Sequence, residues 1–305
     1  SEMCIRDRLS TVDKFCSTVK LRKKLNRKVK QMLYVRKINL KNRNDSNVLL
    51  YEMTEAGSRV LDVGCACGDL SALLAERKNC RCVGLEADKE GVEVCRKRRV
   101  FDEVLQIDLN NFAAADYPRF RQSFDVIVCG DVLEHLRQPA AVLSELKLLL
   151  KPGGYFLVSL PNAAHASIKA GLLLNDWSYT ELGILDKTHL RFFTAASIAG
   201  MFADAELKIT TSGRTFLPPD GFQKHKVGEL PPDTAAFILN DPQSHVFQYV
   251  FKAVPASGRL RQENLKVLLP SECGRAPSGF MFKIKRFLLL KIPGMIRYIQ
   301  KIRLR

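Results

Sequence analysis

The sequence predicts an α/β fold, a doubly wound sheet of parallel strands with helices on both faces. Two observations predict it. From Ser58 onward, short apolar runs alternate with amphipathic stretches of helical period. The runs are apolar throughout instead of alternating with polar residues, as expected for strands that are buried on both faces. In a sheet of this class, ligands bind at the carboxyl ends of the strands.

Each element is indicated by its own pattern. The strands of the regular part are RVLDVG, CRCVGLEA, DEVLQID, FDVIVCG and PGGYFLVSLP. The helices between them are DLSALLAERK, KEGVEVCRKRR and AAVLSELKLLL. Beyond Pro161, the stretches NAAHASIKAGLLLND and TAASIAGMFADAEL predict two more helices. Two further strands, KITTSGRTF and HVFQYVFKAV, flank a Pro/Gly-rich loop from Pro218 to Pro232.

Charge divides the chain into three parts. Its 305 residues carry a net charge of +16. Residues 1–43 contain 14 Lys/Arg and 3 Asp/Glu, and residues 256–305 contain 12 and 2, which leaves residues 44–255 mildly acidic at −5. We therefore predict a basic N-terminal extension (1–43), one central domain (44–255) and a basic amphipathic C-terminal extension (256–305). The opening SEMCIRDR resembles an adapter-derived leader, and we expect it to be foreign to the protein.

The two basic extensions leave three interpretations open. They are solvated charged faces, helices that dock on anionic lipid, or arms that bind RNA phosphates. Both pair Lys and Arg with apolar residues at helical spacing, which favours a membrane surface, whereas the acidic central part argues against RNA. No run of about 18 apolar residues is present, so no membrane span is predicted. Nine cysteines, an odd number, indicate reduced thiols and a cytoplasmic protein.

Two cysteine pairs raise the question of a metal site. Cys65 and Cys67 lie in the loop VGCACGDL, and Cys80 and Cys82 follow a helix later. A four-thiolate zinc site needs the pairs side by side, but a helix of about ten residues, roughly 15 Å long, separates them. The C-x-C spacing is also shorter than that of the usual zinc knuckle. We therefore predict no metal here, and cysteines that fill small half-buried positions.

The same loop fits a nucleoside ligand better. Gly64 and Gly68 enclose a strand-to-helix turn where the backbone passes close to a ligand. Asp62 can accept hydrogen bonds from loop amides or a ligand ammonium group, and Glu86 ends the second strand, where an acid bonds ribose hydroxyls. Asp69 occupies the position where a dinucleotide loop needs glycine, and its carboxylate would repel a pyrophosphate. The loop therefore favours a nucleoside that carries a positive group.

Five motifs, in order, resemble the class I S-adenosylmethionine-dependent methyltransferases. They are VLDVGCACG, VGLEAD, QIDLN, FDVIVCGDVLEHL and LLKPGGYFLVSLPN, within residues 46–255. The resemblance implies a Rossmann-like seven-stranded sheet whose last strand is antiparallel, and S-adenosylmethionine as the cofactor. The cofactor-binding positions that it implies are Asp62, Gly64, Ala66, Gly68, Glu86, Asp108, Leu109 and Asp131. The first four would cradle the amino-acid part, with alanine in place of the family's middle glycine. Glu86 would hold the ribose, the next two would meet the adenine, and the last would lie near the methionine end.

Methyl transfer to a hydroxyl needs a base, and histidine is the natural one near neutral pH. His189 lies in GILDKTHLRFFT, a segment dense in polar groups. The segment resembles ubiquinone-pathway O-methyltransferases and methyltransferases encoded beside bacterial glycosyltransferases, in which it covers the acceptor pocket. We hypothesise that His189 is the base and that Asp186 or Arg191 orients it or the acceptor. The alternative is a histidine that only pins the loop by hydrogen bonds.

His135, in DVLEHL, is the second candidate catalytic residue. With Glu134 it could position the acceptor or, as some relatives suggest, bind a divalent ion. Two adjacent ligands are too few to predict a metal, so none is predicted. The alternative is a histidine that caps a helix.

Three further residues are candidates for contact with the acceptor. Asn162 directly follows the fifth strand, and His165 could face the acceptor across the same strand's carboxyl end, with the polar face of a surface helix as the alternative. Tyr179, beside Trp177, lies in a predicted lid and could stack on a sugar or aromatic ring, although core packing is commoner for such residues.

These patterns predict a cytoplasmic class I methyltransferase that acts on an oxygen atom of a small or lipid-linked acceptor, such as a sugar or quinone precursor. A peripheral membrane contact through the basic extensions would suit a lipid-linked acceptor. Two rivals remain: an RNA methyltransferase that uses the basic extensions, and a non-catalytic protein that binds the cofactor as a sensor or scaffold. The residues that would select the acceptor lie between Asn162 and Pro232, where the pattern is least regular.

Overall fold

A computed structural model describes residues 38–220 and 226–269. Its centre is a seven-stranded sheet with the order β3-β2-β1-β4-β5-β7-β6. The strands are β1 Arg59–Val63, β2 Arg81–Glu86, β3 Phe101–Gln106, β4 Phe124–Gly130, β5 Leu150–Pro161, β6 Leu207–Phe216 and β7 Val246–Pro255. Strands β1 to β5 are parallel, and β7 runs antiparallel to both of its neighbours. The predicted doubly wound sheet and its antiparallel last strand are confirmed.

Helices cover both faces of this sheet. The α-helices of the described residues are α1 Ser46–Met53, α2 Asp69–Lys78, α3 Lys89–Arg98, α4 Pro139–Lys147, α5 Ala166–Leu173, α6 Ala195–Asp204, α7 Pro232–Asn240 and α8 Leu260–Leu268. Short 3-10 helices span Leu109–Asn111, Ala114–Asp116, Pro118–Phe120, Leu133–His135, Val227–Glu229 and Pro242–His245. The order of strands reverses between β1 and β4, so the ends of these two strands form the switch point at which ligands bind in such sheets.

The uniformly apolar strands bury side chains on both faces, as predicted. Leu61 and Ile127 belong to the larger core on one face, whereas Val60 and Val126 belong to the core on the other. Val63 pairs with Leu85 on one side and with Cys129 on the other, so the carboxyl ends of β1, β2 and β4 lie at one level. This register brings the residues after the three strands together.

The folded part continues past the predicted boundary at residue 255. Helix α8 packs against β6 and α6, and its Asn264 is buried. The side-chain oxygen of Asn264 accepts a hydrogen bond from the Ile209 amide at 2.8 Å, and its nitrogen donates to the Leu207 carbonyl oxygen at 3.0 Å. Residues 260–268, which the prediction placed in the basic amphipathic C-terminal extension, thus form a helix that packs against the central domain.

The basic stretches that carry the membrane and RNA alternatives lie almost wholly outside the described residues. Residues 1–37 and 270–305 are among those not described, and so is the segment 221–225. Within the described ranges, every helix is too short or too polar to cross a bilayer.

Candidate active site

The loop after β1 turns sharply because its two glycines have a left-handed backbone. Gly64 has φ of +70° and Gly68 has φ of +73°. A Cβ atom at Gly64 would lie 2.4 Å from Cγ2 of Val132, and one at Gly68 would lie 2.6 Å from Cε2 of Phe101. The prediction attributed both glycines to the approach of a ligand. The structure gives two further causes, the backbone conformation and the neighbouring protein side chains.

Between the glycines, Ala66 is held in the left-handed region by Glu86. Ala66 has φ of +48°, which is uncommon for a residue with a Cβ. Its amide donates to Oε2 of Glu86 at 2.7 Å, while Oε1 accepts from the Asp88 amide at 2.8 Å. Each carboxylate oxygen keeps a second lone pair, so Glu86 can still accept hydrogen bonds from two ribose hydroxyls. The shape of the loop thus depends on the predicted ribose-binding side chain.

Asp62 is buried under the same loop. Its Oδ2 accepts a hydrogen bond from the Ser71 hydroxyl at 2.6 Å. Burial raises the pKa of Asp62 to about 6, and a cationic ligand group beside it would lower the pKa again. The Asp69 carboxylate, which we expected to repel a phosphate, forms an ion pair with Arg98.

Carboxylates also follow the next two strand ends. Asp108 accepts hydrogen bonds from the backbone and side-chain nitrogens of Asn110, both at 3.0 Å, and so caps the short helix that begins with the buried Leu109. Asp131 has φ of +54°, and its Oδ1 accepts from the Ser159 hydroxyl at 2.7 Å and the Gln248 amide at 2.8 Å. Acidic side chains therefore stand at the carboxyl ends of β1, β2, β3 and β4.

Three of the four cysteines considered for a zinc site have separate partners. Cys65 lies 3.8 Å from the Cys95 sulfur, Cys80 donates to the Glu55 carbonyl oxygen, and Cys82 donates to the Ser71 carbonyl oxygen. All four are buried, and burial raises the pKa of Cys82 to about 12, so this thiol stays protonated at neutral pH.

A buried carboxyl group and two imidazoles meet where β4 ends. Glu134, His135 and His189 present ligand atoms that all lie within 4.8 Å of one another. The two ring centroids are 4.8 Å apart, and Oε1 of Glu134 is 4.0 Å from Nε2 of His189. The main chain joins the two segments, since the Glu134 carbonyl oxygen accepts from the amides of Leu190 and Arg191 at 2.8 and 3.0 Å. The two histidines predicted as catalytic are therefore neighbours.

Backbone carbonyl groups fix the tautomer of both histidines. Nδ1 of His189 lies 2.9 Å from the Ile184 oxygen, and Nδ1 of His135 lies 3.2 Å from the Thr188 oxygen. Because a carbonyl oxygen can only accept, Nδ1 carries the proton and Nε2 of each neutral ring keeps its lone pair. Burial also lowers the pKa of His189, so the ring is neutral at pH 7 and can take up a proton at Nε2.

Glu134 is the member of this cluster whose buried polar atoms are least satisfied by hydrogen bonds. Its side chain is 1% exposed, and Oε2 has no hydrogen-bond partner among the described residues. Burial first, and then the charge of Asp131, raise the pKa of Glu134 well above its usual value. Perturbed carboxyl groups of this kind concentrate at functional sites. Because His189 joins Glu134 and His135, the cluster offers two imidazole nitrogens and one carboxylate, a ligand set that suits transition metals. The sequence had suggested only the two adjacent ligands, and no metal was predicted.

Two residues predicted to contact the acceptor are buried and hydrogen-bonded within the protein. Asn162 is fully buried; its nitrogen donates to the carbonyl oxygens of Gln243 and Val246, both at 2.9 Å, and its oxygen accepts from the Ala164 amide. His165 is equally buried and caps α5, with Nδ1 2.8 Å from the Ser167 hydroxyl. The polar atoms of both side chains are hydrogen-bonded to other groups of the protein, which fixes them in the folded core.

The structure places the three other predicted acceptor residues in different surroundings. Asp186 accepts from the amide and hydroxyl of Thr188, so it shapes the turn before His189 and does not orient the imidazole, which the Ile184 carbonyl holds instead. Arg191 donates through Nε and Nη2 to the Arg137 carbonyl oxygen. Tyr179 is 55% exposed at the surface of the predicted lid, where an acceptor ring could reach it.

Sequence reasoning missed Gln248 and understated Glu134. Gln248 comes from β7, and only the antiparallel pairing of that strand with β5 brings its amide to Asp131. The sequence held a signal for Glu134, since an acid between Leu133 and His135, four residues after an apolar strand, is unusual in a buried turn.

Comparisons with known proteins agree with this geometry. A profile of the methyltransferase-domain family matches residues 34–212, more than half of the chain. The chain belongs to this family. As the sequence resemblance implied, the cofactor of the family is S-adenosylmethionine.

Curated relatives resemble the methyltransferase domain over part of its length. The ubiquinone biosynthesis O-methyltransferase of Shewanella pealeana is 30% identical over 151 residues, which are 50% of this chain and 64% of that protein. The first match thus spans less than two thirds of the relative. The protein of the same name from Xanthomonas oryzae pv. oryzae is 30% identical over 165 residues, 53% of this chain and 68% of that protein. Among solved structures, an O-methyltransferase of a trans-AT PKS multienzyme from Brevibacillus brevis, in complex with S-adenosyl-L-homocysteine, aligns at 18% identity with a TM-score of 0.48, covering 73% of this chain and 75% of that one.

The residues at the strand ends fit S-adenosylmethionine chemically. Its ammonium and sulfonium groups call for carboxylates, and its ribose calls for hydrogen-bond acceptors. Asp62, Glu86 and Asp131 supply carboxylates at adjacent strand ends, and Glu86 retains free acceptor positions. These residues would hold the cofactor as the family resemblance implies.

Proposed function

We propose that the chain transfers a methyl group from S-adenosylmethionine to an oxygen atom of a small or lipid-linked acceptor, such as a sugar or quinone precursor. The names of the curated relatives, which are O-methyltransferases, support the choice of oxygen. The observation that carries the proposal is the pair of adjacent histidines at the end of β4, in each of which a backbone carbonyl oxygen binds Nδ1 and leaves Nε2 to take up a proton. A hydroxyl must lose its proton during methylation, and a positioned base accelerates such a transfer by about 10² to 10⁴.

The chain's own residues divide the work. The cofactor, when bound, supplies an electrophilic methyl group. Asp62 and Glu86 would bind and orient the nucleoside, and Asp131, fixed by Ser159 and Gln248, would meet its methionine end. His189 takes the acceptor proton at Nε2, while the Ile184 carbonyl holds the imidazole in the required tautomer.

A metal-assisted version of the same reaction is the second candidate. It is favoured by the buried, unpartnered oxygen of Glu134 beside two free imidazole nitrogens. A divalent ion held there would lower the pKa of the acceptor hydroxyl and so replace the base. The ligand atoms would have to close from 4.8 Å to reach a common ion.

A labelled methyl donor, offered with a panel of hydroxylated sugars and phenols, tests the proposal on the full chain. We expect alkali-stable methyl ether formation that falls by about 10² or more in His189→Gln, in line with loss of a general base. His245→Gln is the matched control, because His245 lies outside the cluster. Unchanged turnover in His189→Gln would remove the histidine from the mechanism.

Three further outcomes separate the alternatives. Loss of activity on chelation, restored by a divalent ion, assigns the metal-assisted version. Turnover that occurs only with RNA would replace the small acceptor. Cofactor uptake without turnover on any acceptor would favour the sensor or scaffold alternative.

A further inference from the structure

Three arginines line an open groove beside the histidine cluster. Arg137, Arg191 and Arg261 contribute to a cavity of about 590 Å³ between the start of α4, helix α6 and the start of α8. Its volume is that of a site for a small ligand. With Asp204 as the acidic side chain of its lining, the groove carries a net charge of +2.

The charges of these three arginines are not balanced by ion pairs, whereas those of several other arginines in the described residues are. Arg43, Arg81 and Arg119 are each paired with a carboxylate at 3.0, 3.0 and 2.6 Å. Within residues 38–220 and 226–269, no ion pair is formed by any arginine of the groove. Arg191 donates two hydrogen bonds to a neutral carbonyl oxygen, so its charge and its other N–H groups remain available. Residues 44–255 have a net charge of −5, yet their part of the groove holds two arginines and one aspartate, and Arg261 of α8 adds a third positive charge. This concentration of positive charge favours an anion.

The start of α4 adds hydrogen-bond donors to the same groove. The N-cap residue Gln138 makes no side-chain capping bond, so the first-turn amides of Ala140 and Ala141 receive no side-chain acceptor. Both alanines line the groove. The positive end of the helix dipole therefore acts together with the guanidinium groups.

Two arginines of the groove lie beside the catalytic cluster along the chain. Arg137 follows His135 by two residues and Arg191 follows His189 by two, so each arginine Cα lies within about 7 Å of its histidine Cα. The Arg191 amide also donates to the Glu134 carbonyl oxygen at 3.0 Å. The lining of the groove therefore adjoins the cluster through these two segments of main chain.

We propose that this groove binds a phosphate or diphosphate group of the methyl acceptor, and thereby selects phosphorylated acceptors. This inference rests on the proposed function for its location and adds the substrate class. Planar guanidinium groups bind phosphate oxygens in pairs, and three of them with helix amides match a multiply charged anion better than a single carboxylate.

Calorimetry with inorganic diphosphate on the full chain tests the groove without any acceptor. We expect saturable binding that weakens about tenfold in Arg261→Gln, the loss of one charge-assisted hydrogen bond. Arg259→Gln is the matched control, because it removes the same charge beside α8 but outside the groove lining. Asp204→Asn should change affinity in the opposite direction, since it removes the groove's negative charge.

Protection from an arginine reagent locates the site independently of the basic extensions. Diphosphate should protect Arg137 and Arg261 from phenylglyoxal, and leave Arg259 reactive. Equal effects of the Arg261 and Arg259 substitutions, or equal protection of both residues, would overturn the proposal. Tighter binding of a prenyl diphosphate than of diphosphate assigns the group to a lipid-linked acceptor, and equal binding assigns it to a soluble ester.

Titration of S-adenosylhomocysteine on the same samples separates the two proposals. A protein that binds S-adenosylhomocysteine but not diphosphate refutes the groove alone. One that binds diphosphate at Arg261 but takes up no S-adenosylhomocysteine refutes the proposed function and leaves an anion site.

Discussion

Replacing Gly64 with alanine measures how tightly the cofactor loop is packed against the turn after β4. Gly64 and the distant Gly57 have nearly the same backbone, with φ of +70° and +74°. A Cβ at Gly57 meets nothing within 4 Å, whereas one at Gly64 would lie 2.4 Å from Val132. The pair therefore separates the cost of the backbone conformation from the cost of the contact.

The expected magnitudes follow from these two terms. Left-handed alanine, partly offset by the lower entropy of the unfolded chain, should cost about 1 kcal/mol at either glycine. Overpacking should add about 1–3 kcal/mol at Gly64 alone. Gly64→Ala should therefore lower the free energy of unfolding by about 2–4 kcal/mol, or the Tm by roughly 4–16 °C.

Urea unfolding followed by circular dichroism gives the comparison. Adding Val132→Ala to Gly64→Ala should recover the contact term, as a coupling energy of about 1–3 kcal/mol in the double-mutant cycle. Equal losses in Gly57→Ala and Gly64→Ala, or additive effects of Gly64→Ala and Val132→Ala, would refute the claim that Val132 excludes a side chain from the loop.

Three other predictions concern buried polar groups. Burial lowers the pKa of His165 to about 4, below the value near 6.5 in the unfolded chain. The contribution of His165 to stability is therefore fully present above pH 6.5 and falls by about 3 kcal/mol as the pH drops to 4. Unfolding of His165→Asn should lack this part of the pH dependence, and identical pH profiles of the two proteins would contradict it. Asn162→Ala should cost about 2–4 kcal/mol in urea unfolding, since it leaves two buried carbonyl oxygens unpaired; a loss below about 1 kcal/mol would show that water or rearrangement replaces the amide. Ser71→Ala removes the hydroxyl that donates to Asp62, so calorimetric affinity for S-adenosylhomocysteine should fall off at higher pH than in the wild type; superimposable profiles would mean that the charge of Asp62 is not used.

The strands could be predicted because a run of apolar residues indicates a strand that is buried on both faces of the sheet. Val60 and Leu61 face opposite cores, which is the arrangement that a run without alternation implies. Helix α8 was missed because its buried positions are Leu260, Asn264 and Leu268, so that a polar residue occupies the middle of its inner face. Only the structure shows that Asn264 hydrogen-bonds the end of the sheet.

Some residues of the candidate site could be predicted from the sequence, and others could not. Glu86 and His189 were found because their positions after a strand and within a polar segment constrain them strongly. The burial of Asn162 and His165 could not be predicted, because a sequence does not reveal that a polar side chain is hydrogen-bonded to carbonyl groups distant in the chain, such as those of Gln243 and Leu217. The arginine groove could not be foreseen, since it is assembled from segments more than 100 residues apart.

The central claim is that acidic side chains at adjacent strand ends bind the amino-acid and ribose parts of the nucleoside cofactor, and its most direct test is calorimetry of the full chain with S-adenosylhomocysteine. We predict one-to-one binding that weakens about tenfold or more in Glu86→Gln, where the carboxylate that serves both the loop and the ribose is lost. Glu93→Gln, an exposed change on α3, should bind as the wild type does. Folded protein that takes up no S-adenosylhomocysteine, or a Glu86 variant with wild-type affinity, would contradict the account.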